Sequence, residues 1–178
     1  MYNPHYCSFI QPASPLVKNL VERFDRTLDP SPIVLALAAL KEFKYIGVLG
    51  IQPLETVILA KKGNCLSLAS LVCSMLRVAG LAEEEVFVAL GHWRGFYREP
   101  VHAWVIVIPK DSENIWFIDP ARKHAECCKL DDLLHSYCLI IMFNDRQFLL
   151  IMDEKRKALS LRKCSTDLRF KGAYKGGI

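Results

Sequence analysis

The sequence predicts a single α+β domain in which N-terminal helices and one central helix pack on an antiparallel β-sheet. Two observations support this prediction. Apolar residues recur at helical spacing in the first half of the chain, up to Gly80, and afterwards alternate with the period of two that is typical of strands. Helices that come first and neighbouring strands that follow them are typical of the α+β class.

The composition supports one folded domain. The 178 residues are 52% hydrophobic and 24% charged with a formal net charge of +4, which excludes a disordered chain and suffices for one core. No apolar run approaches the ~18 residues of a membrane span and no secretory signal is apparent, so we expect a cytoplasmic protein without membrane contact. Seven cysteines without a C-x-x-C pair predict free thiols, and we expect no cofactor.

Two N-terminal helices are predicted from spacing and capping. Leucine or phenylalanine recurs every four residues from Pro15 to Leu28, which indicates an amphipathic helix. Ser31 followed by Pro32 is typical of an N-cap and a first helical residue, so a second, largely buried helix should run to about Phe43. The pattern over 54–60 is ambiguous.

The clearest helix of the sequence runs from Cys65 to Ala79. Its few polar residues form one narrow stripe, so the helix should lie in the core with little exposed surface. Gly63 and Asn64 predict a sharp turn before the helix, and Gly80 predicts its end. Cys65 is therefore expected at the N-terminus of a buried helix.

The second half of the chain is predicted to contain strands and to end in a basic arm. We predict strands over 85–90, 101–108 and 115–118, a short helix over 130–136, and a hairpin of 139–143 with 147–152. The stretch GHWRGFYREP, 91–100, is predicted as a loop. Residues 155–178 carry eight basic residues and one acidic residue, so we expect one domain over 1–154 and a solvated arm over 155–178.

Three residues combine the chemistry that nucleophilic catalysis needs: Cys65 at a helix start, His102 early in a strand and Asp119 at the end of the next strand. A helix N-terminus stabilises a thiolate, an adjacent imidazole takes its proton, and a carboxylate fixes the imidazole tautomer. If Pro109 ends the first of these strands and a four-residue loop follows, antiparallel pairing places His102 directly opposite Asp119.

Four short stretches together resemble the transglutaminase-like superfamily: Gly63-Asn64-Cys65, the helix end LRVAGL over 76–81, HAWV over 102–105 and WFIDP over 116–120. The resemblance covers about 54–121, and in length the chain is similar to the short, single-domain bacterial members. It implies a papain-like fold with Cys65 as nucleophile, His102 as general base and Asp119 as the orienting residue.

The resemblance also implies a reaction class, which is cysteine-dependent acyl transfer on a peptide or amide bond through a thioester acyl-enzyme. A protease, an amidase and a transglutaminase would all use this chemistry, and the small size of the chain favours hydrolysis. The superfamily includes inactive relatives, so the alternative is a module on the same fold that binds a protein or peptide without catalysis.

Three further residues are candidates for substrate binding, and each has a structural alternative. Gln52 could donate a hydrogen bond to an oxyanion beside the Cys65 backbone N–H, or it could be an ordinary loop residue. Trp93 lies in the aromatic loop, which could bind a peptide, form a lid or contact a partner. Trp104 should share the face of His102, either as a wall of the cleft or as a core residue.

Two other groupings suggest functions that we do not expect. Cys127 and Cys128 with His124 could suggest a metal site, but adjacent cysteines rarely bind one ion and no fourth ligand is evident, so we predict free thiols and no metal. The basic arm could contact nucleic acid, but no interleaved aromatic pattern supports base stacking. The expected partner is a peptide or protein substrate, and the sequence indicates no oligomeric state.

Overall fold

A seven-stranded antiparallel sheet with one long helix packed on it forms the framework of the protein, which confirms the predicted α+β class. The computed structural model describes residues 6–24, 31–48, 50–93, 101–110, 112, 114–129, 132, 137–151 and 173–175. The helices are α1 (Pro15–Phe24), α2 (Pro32–Leu40), α3 (Leu54–Ala60) and α4 (Cys65–Val78). The strands are β1 (Lys44–Tyr45), β2 (Lys62–Gly63), β3 (Val86–Trp93), β4 (His102–Val107), β5 (Asn114–Asp119), β6 (His124–Lys129), β7 (Tyr137–Phe143), β8 (Phe148–Ile151) and β9 (Ala173–Lys175). The large sheet has the order β6-β5-β4-β3-β7-β8-β9, and β1 and β2 form a separate parallel pair.

Helix α4 is the central helix that the sequence predicts, and ten of its 14 residues are buried. The three serines of its polar stripe, Ser67, Ser70 and Ser74, are buried as well, and the hydroxyls of the first and the last bind backbone groups of other segments. Ser74 Oγ donates to the carbonyl of Ser70 over 2.8 Å and accepts a hydrogen bond from the backbone N–H of Gln11 over 2.9 Å. The helix ends where Gly80 adopts a φ of +100°, a conformation that glycine accepts without strain.

The N-terminal helices follow the predicted signals with shorter bounds. Ser31 caps α2, because its Oγ accepts a hydrogen bond from the backbone N–H of Val34, and Pro32 is the first helical residue. The ambiguous stretch over 54–60 forms the helix α3. Residues 25–28 of the predicted first helix lie outside the described residues.

Both faces of the large sheet carry buried side chains at its central strands, and side chains alternate between the faces as expected for strands. Ala103, Val105 and Val107 of β4 face α4, whereas Trp104 and Ile106 lie on the opposite face. Strand β3 continues to Trp93, so the prediction that a loop begins at Gly91 is wrong. Residues 94–100 of the predicted aromatic loop lie outside the described residues.

The predicted pairing of β4 with β5 is wrong by two residues. Val107 pairs with Trp116, and continuing this register places Asp119 opposite Trp104 rather than His102. In this register Glu85 contacts the residues that follow β4: the carbonyl of Glu85 accepts from Ile108 N–H over 2.6 Å, and its carboxylate accepts from Lys110 N–H. A shift of two residues preserves the face of every side chain, so His102 and Asp119 still lie on the same side of the sheet.

The β7–β8 hairpin confirms the predicted pair of strands and holds the end of α4. Asn144 is fully buried in its turn, where its Oδ1 accepts from the N–H groups of Arg146 and Gln147 and its Nδ2 donates to the carbonyl of Val86. The next residue, Asp145, binds Arg77 Nε over 2.8 Å. This ion pair, with both side chains less than one-fifth exposed, ties the last turn of α4 to the sheet.

Two predictions about the C-terminal part fall on residues that are largely not described. The predicted helix over 130–136 lies outside the described residues apart from residue 132, and so does most of the basic arm over 155–178. Within the arm, β9 pairs antiparallel with β8. Among the described residues, no helix is both long enough and apolar enough to cross a bilayer.

Candidate active site

Cys65 is the first residue of α4, and Asn64 fixes this helix start. The Oδ1 of Asn64 accepts a hydrogen bond from Ser67 N–H over 2.9 Å, which makes Asn64 the N-cap. Its Nδ2 donates to the carbonyls of Val48 and Gly50, so one buried amide joins the preceding loop to the helix. The partly exposed thiol of Cys65 therefore lies at the positive end of the helix dipole.

Replacement of Asn64 by alanine should destabilise the protein by about 2–3 kcal/mol, because it removes an N-cap and leaves two loop carbonyls without their donor. Chemical denaturation measures this free energy of unfolding. Asn19→Ala, on the exposed surface of α1, is the matched control and should change the stability by less than about 0.5 kcal/mol. Equal stability of the two variants would contradict the structural role of Asn64.

The structure brings His102 and Asp119 into contact at the end of the sheet that faces the start of α4. His102 Nε2 lies 3.0 Å from Asp119 Oδ2, and the pair is diagonal across the β4–β5 ladder. The Cys65 thiol is close enough to this imidazole for each group to shift the pKa of the other. The three side chains that the sequence predicts to act together therefore lie close to one another.

Asp119 is buried and held in place by the turn that follows β5. Its Oδ1 accepts from the backbone N–H groups of Ala121 at 3.0 Å and Arg122 at 3.3 Å, and Arg122 Nε lies 3.5 Å from Oδ2. The carboxyl side chain is only 2% exposed, whereas the side chain of His102 is 30% exposed. Asp119 is thus a fixed anchor, and the imidazole is the member of the pair that solvent can reach.

The protonation states of the three groups favour a thiolate–imidazolium pair. Burial alone would raise the pKa of Cys65, but the hydrogen bond with His102, the N–H of Ala103 and the nearby imidazolium charge outweigh it, so the pKa is lowered. Burial alone would lower the pKa of His102, but hydrogen bonds and charge interactions with Asp119 and Cys65 raise it to about 9. The pKa of Asp119 is lowered, because its bond to His102 outweighs the effect of burial. Each shift therefore favours the charged form of its group, which is the thiolate, the imidazolium or the carboxylate.

Comparison with known proteins identifies the fold around these side chains. The family model of the transglutaminase-like superfamily matches residues 33–120, a range that contains all three. Residues 33–120 belong to the transglutaminase-like superfamily. This confirms the resemblance that the sequence motifs predict, and no curated protein sequence matches the chain.

Solved structures support the same transglutaminase-like fold. EGTA-treated LapG from Legionella pneumophila is similar with a TM-score of 0.60 and 12% identity, covering 85% of this chain and 86% of that chain. A second structure of Legionella pneumophila LapG gives a TM-score of 0.59 and 11% identity, covering 82% of this chain and 86% of that chain. At this identity the similarity concerns the fold.

The three predicted substrate-binding residues lie in three different parts of the transglutaminase-like core. Gln52 lies near the start of α4, because its backbone N–H donates to Ser67 Oγ over 3.0 Å. Trp104 is fully buried, with its ring centroid 6.2 Å from that of His102 and 5.9 Å from that of Phe117. Of Trp93 the structure describes the backbone at the end of β3, and its side chain lies outside the description.

Two residues that the sequence analysis does not assign to the site also lie beside it. Asn64 could have been found from the usual preference for asparagine at an N-cap. Tyr45 gives no sequence signal, because it belongs to a two-residue strand whose register sets it opposite Gly63, two residues before Cys65. Among the described residues, no cluster of three or more His, Cys, Asp or Glu side chains could hold a metal ion.

Proposed function

We propose that the protein is a cysteine-dependent acyl-transfer enzyme that attacks a peptide or amide carbonyl, with Cys65 as nucleophile, His102 as acid and base, and Asp119 as the residue that orients His102. The 3.0 Å contact between His102 Nε2 and Asp119 Oδ2, on a ring that interacts with the Cys65 thiol, is the observation that carries this proposal. The arrangement contains a nucleophile, its proton acceptor and an orienting carboxylate in the required order.

In the first half of the reaction, the thiolate of Cys65 attacks the carbonyl carbon and forms a C–S bond while the C=O π electrons move to oxygen. The imidazolium of His102 gives its proton to the leaving nitrogen as the C–N bond breaks. The products are a thioester and a free amine. Asp119 keeps Nε2 engaged throughout, so the proton that moves is the one on Nδ1.

The negative oxygen of the tetrahedral intermediate needs donors beside Cys65. The backbone N–H of Cys65 at the helix start is one candidate, and the side-chain amide of Gln52 is the other. The backbone of Gln52 is bound to Ser67 in the first turn of α4, which supports this role. The carbonyl oxygen Oε1 of Gln52 is buried without a hydrogen-bond partner in the described part of the chain, so a bound substrate N–H could satisfy it.

In the second half, neutral His102 takes a proton from water, whose oxygen attacks the thioester carbonyl. Collapse of the intermediate breaks the C–S bond, releases the carboxylic acid and restores the thiolate. An amine in place of water would give transamidation. Because a thiolate nucleophile requires a reduced thiol, the proposal includes a reducing, cytoplasmic compartment, as the sequence analysis expects.

Alkylation by iodoacetamide, located by peptide mass spectrometry, tests the nucleophile. Near pH 6.5, half-buried Cys65 should react at least about tenfold faster than exposed Cys127, because only the thiolate reacts and the pKa of Cys65 is lowered. Cys128, whose pKa burial raises to about 11, should react slowest. Cleavage of peptides should fall as the pH rises through about 9, where His102 loses its proton and can no longer protonate the leaving amine.

The controls separate the possible outcomes. Cys65→Ala should lose this adduct and all peptide cleavage while Cys127 reacts as before. If Cys65 reacts no faster than Cys127, the thiol is not activated and the proposed reaction is wrong. If Cys65 is activated but a mixed peptide library is neither cleaved nor joined to an added amine, the alternative of a non-catalytic module that binds a protein or peptide is supported instead.

A further inference from the structure

Large apolar side chains are exposed at few places in the described part of the chain, and more than half of them flank the site. Those at least 43% exposed are Val34, Tyr45, Val48, Leu59 and Val101. Val34 and Leu59 lie on the helices α2 and α3. The other three adjoin Cys65 or His102 in different ways, and exposed apolar side chains grouped at a functional site commonly mark a binding surface.

Tyr45 approaches the site through the parallel pair of short strands. It lies opposite Gly63 in this ladder, and the N–H of Ile46 donates to the carbonyl of Gly63 over 3.0 Å. Partial burial and the negative charges of Cys65 and Asp119 raise the pKa of Tyr45, so its phenol is close to both groups and stays neutral. Its ring therefore offers an uncharged surface 43% exposed to solvent beside the nucleophile.

Val48 and Val101 reach the site from two other directions. The carbonyl of Val48 accepts a hydrogen bond from Asn64 Nδ2 over 3.1 Å, and Asn64 immediately precedes the nucleophile. Val101 immediately precedes His102 at the start of β4. Each valine is 45% exposed, and burying its apolar surface against a bound group would be favourable.

We propose that Tyr45, Val48 and Val101 bind a bulky apolar side chain next to the scissile bond, so that the substrates are peptides with an aromatic or large aliphatic residue at that point. This inference rests on the proposed function and specifies its substrate class. The occupant is the substrate because each of the three residues is joined to the stretch around Cys65 or His102, through the β1–β2 ladder, a hydrogen bond of Asn64 or the chain itself. Burial of a ring against half-exposed side chains should favour apolar substrates about fivefold to tenfold.

Three alkylating probes with the same reactive group test the inference on the intact protein: N-benzyliodoacetamide, N-(2-hydroxyethyl)iodoacetamide and iodoacetylglycine. Their rates of reaction with Cys65 are divided by their rates with glutathione, which removes differences in intrinsic reactivity. The benzyl probe should be favoured about fivefold or more, through a lower half-saturating concentration and not through a higher limiting rate. Tyr45→Ser and Val101→Ser should each reduce this preference.

Leu59→Ser is the control, because it removes an exposed apolar side chain from α3, and it should leave the preference unchanged. Equal corrected rates for all probes, or a preference that survives in both Tyr45→Ser and Val101→Ser, would overturn the inference while leaving the nucleophile intact. Preference for iodoacetylglycine would also overturn it, since the paired lysines Lys44 and Lys62 would then select an acidic substrate. A Cys65 that fails to react with iodoacetamide itself would instead contradict the proposed function.

Discussion

Replacing His102 with alanine should lower the rate of peptide cleavage by about a thousandfold or more, because the variant loses both the proton donor for the leaving amine and the base that activates water. The thiol should also become less acidic, since burial raises the pKa of Cys65 and the hydrogen bond with His102 is the largest effect that opposes it. Alkylation of Cys65 near pH 6.5 should therefore slow about tenfold, and its pH profile should move to higher pH.

His124→Ala is the matched control for this variant. His124 lies opposite Asp119 in the β5–β6 ladder, but its side chain is more than half exposed, so cleavage should be almost unchanged. Asp119→Asn gives an intermediate test. Loss of the carboxylate charge should lower the pKa of His102. The pH at which peptide cleavage falls on the alkaline side should therefore move below about 9. If the pH profile of Cys65 alkylation is unchanged in His102→Ala, the coupling between the thiol and the imidazole is contradicted.

Replacing Gly91 with alanine should destabilise the protein by about 3 kcal/mol or more, since backbone atoms cannot move aside without disturbing the sheet. A Cβ at this position would lie 2.1 Å from the carbonyl oxygen of Cys138 and 2.9 Å from the Trp104 ring. Gly91 also pairs with His102 and lies where the β3–β7 register shifts. A thermal melt should show the midpoint lowered by several degrees, and the alkylation rate of Cys65 should fall in the folded fraction.

Gly47→Ala provides the comparison for Gly91→Ala. Gly47 is exposed and has no positive φ, and a Cβ added there would meet no atom within 4 Å beyond its neighbours in the chain. Alanine at this position should therefore be neutral or slightly stabilising. Similar melting midpoints for the two variants would mean that the close approach at Gly91 is readily relieved.

The features that the sequence predicts correctly are those governed by neighbouring residues. Ser31 and Pro32 start α2, Gly80 ends α4, and the alternation of apolar side chains fixes which residues of β4 face the helix. The sequence groups Cys65 with His102 because one is predicted to begin a helix and the other to lie early in a strand.

The features that the sequence does not predict depend on contacts between distant segments. The register of β4 and β5 differs by two residues from the one that Pro109 predicts, and Glu85, which contacts the residues after β4, lies outside the loop itself. Tyr45 comes close to Cys65 through a parallel pair of two-residue strands, too short for any periodic pattern. The helix α3 is short and mostly apolar, so its pattern does not distinguish a helix from a strand.

Helix α4 is fastened at both ends, by Asn64 to the preceding loop and by Arg77 to Asp145 of the hairpin. Movement of α4 along its own axis would break contacts at both of its ends. The position of the Cys65 sulfur relative to the His102 imidazole therefore depends on contacts at both ends of this helix.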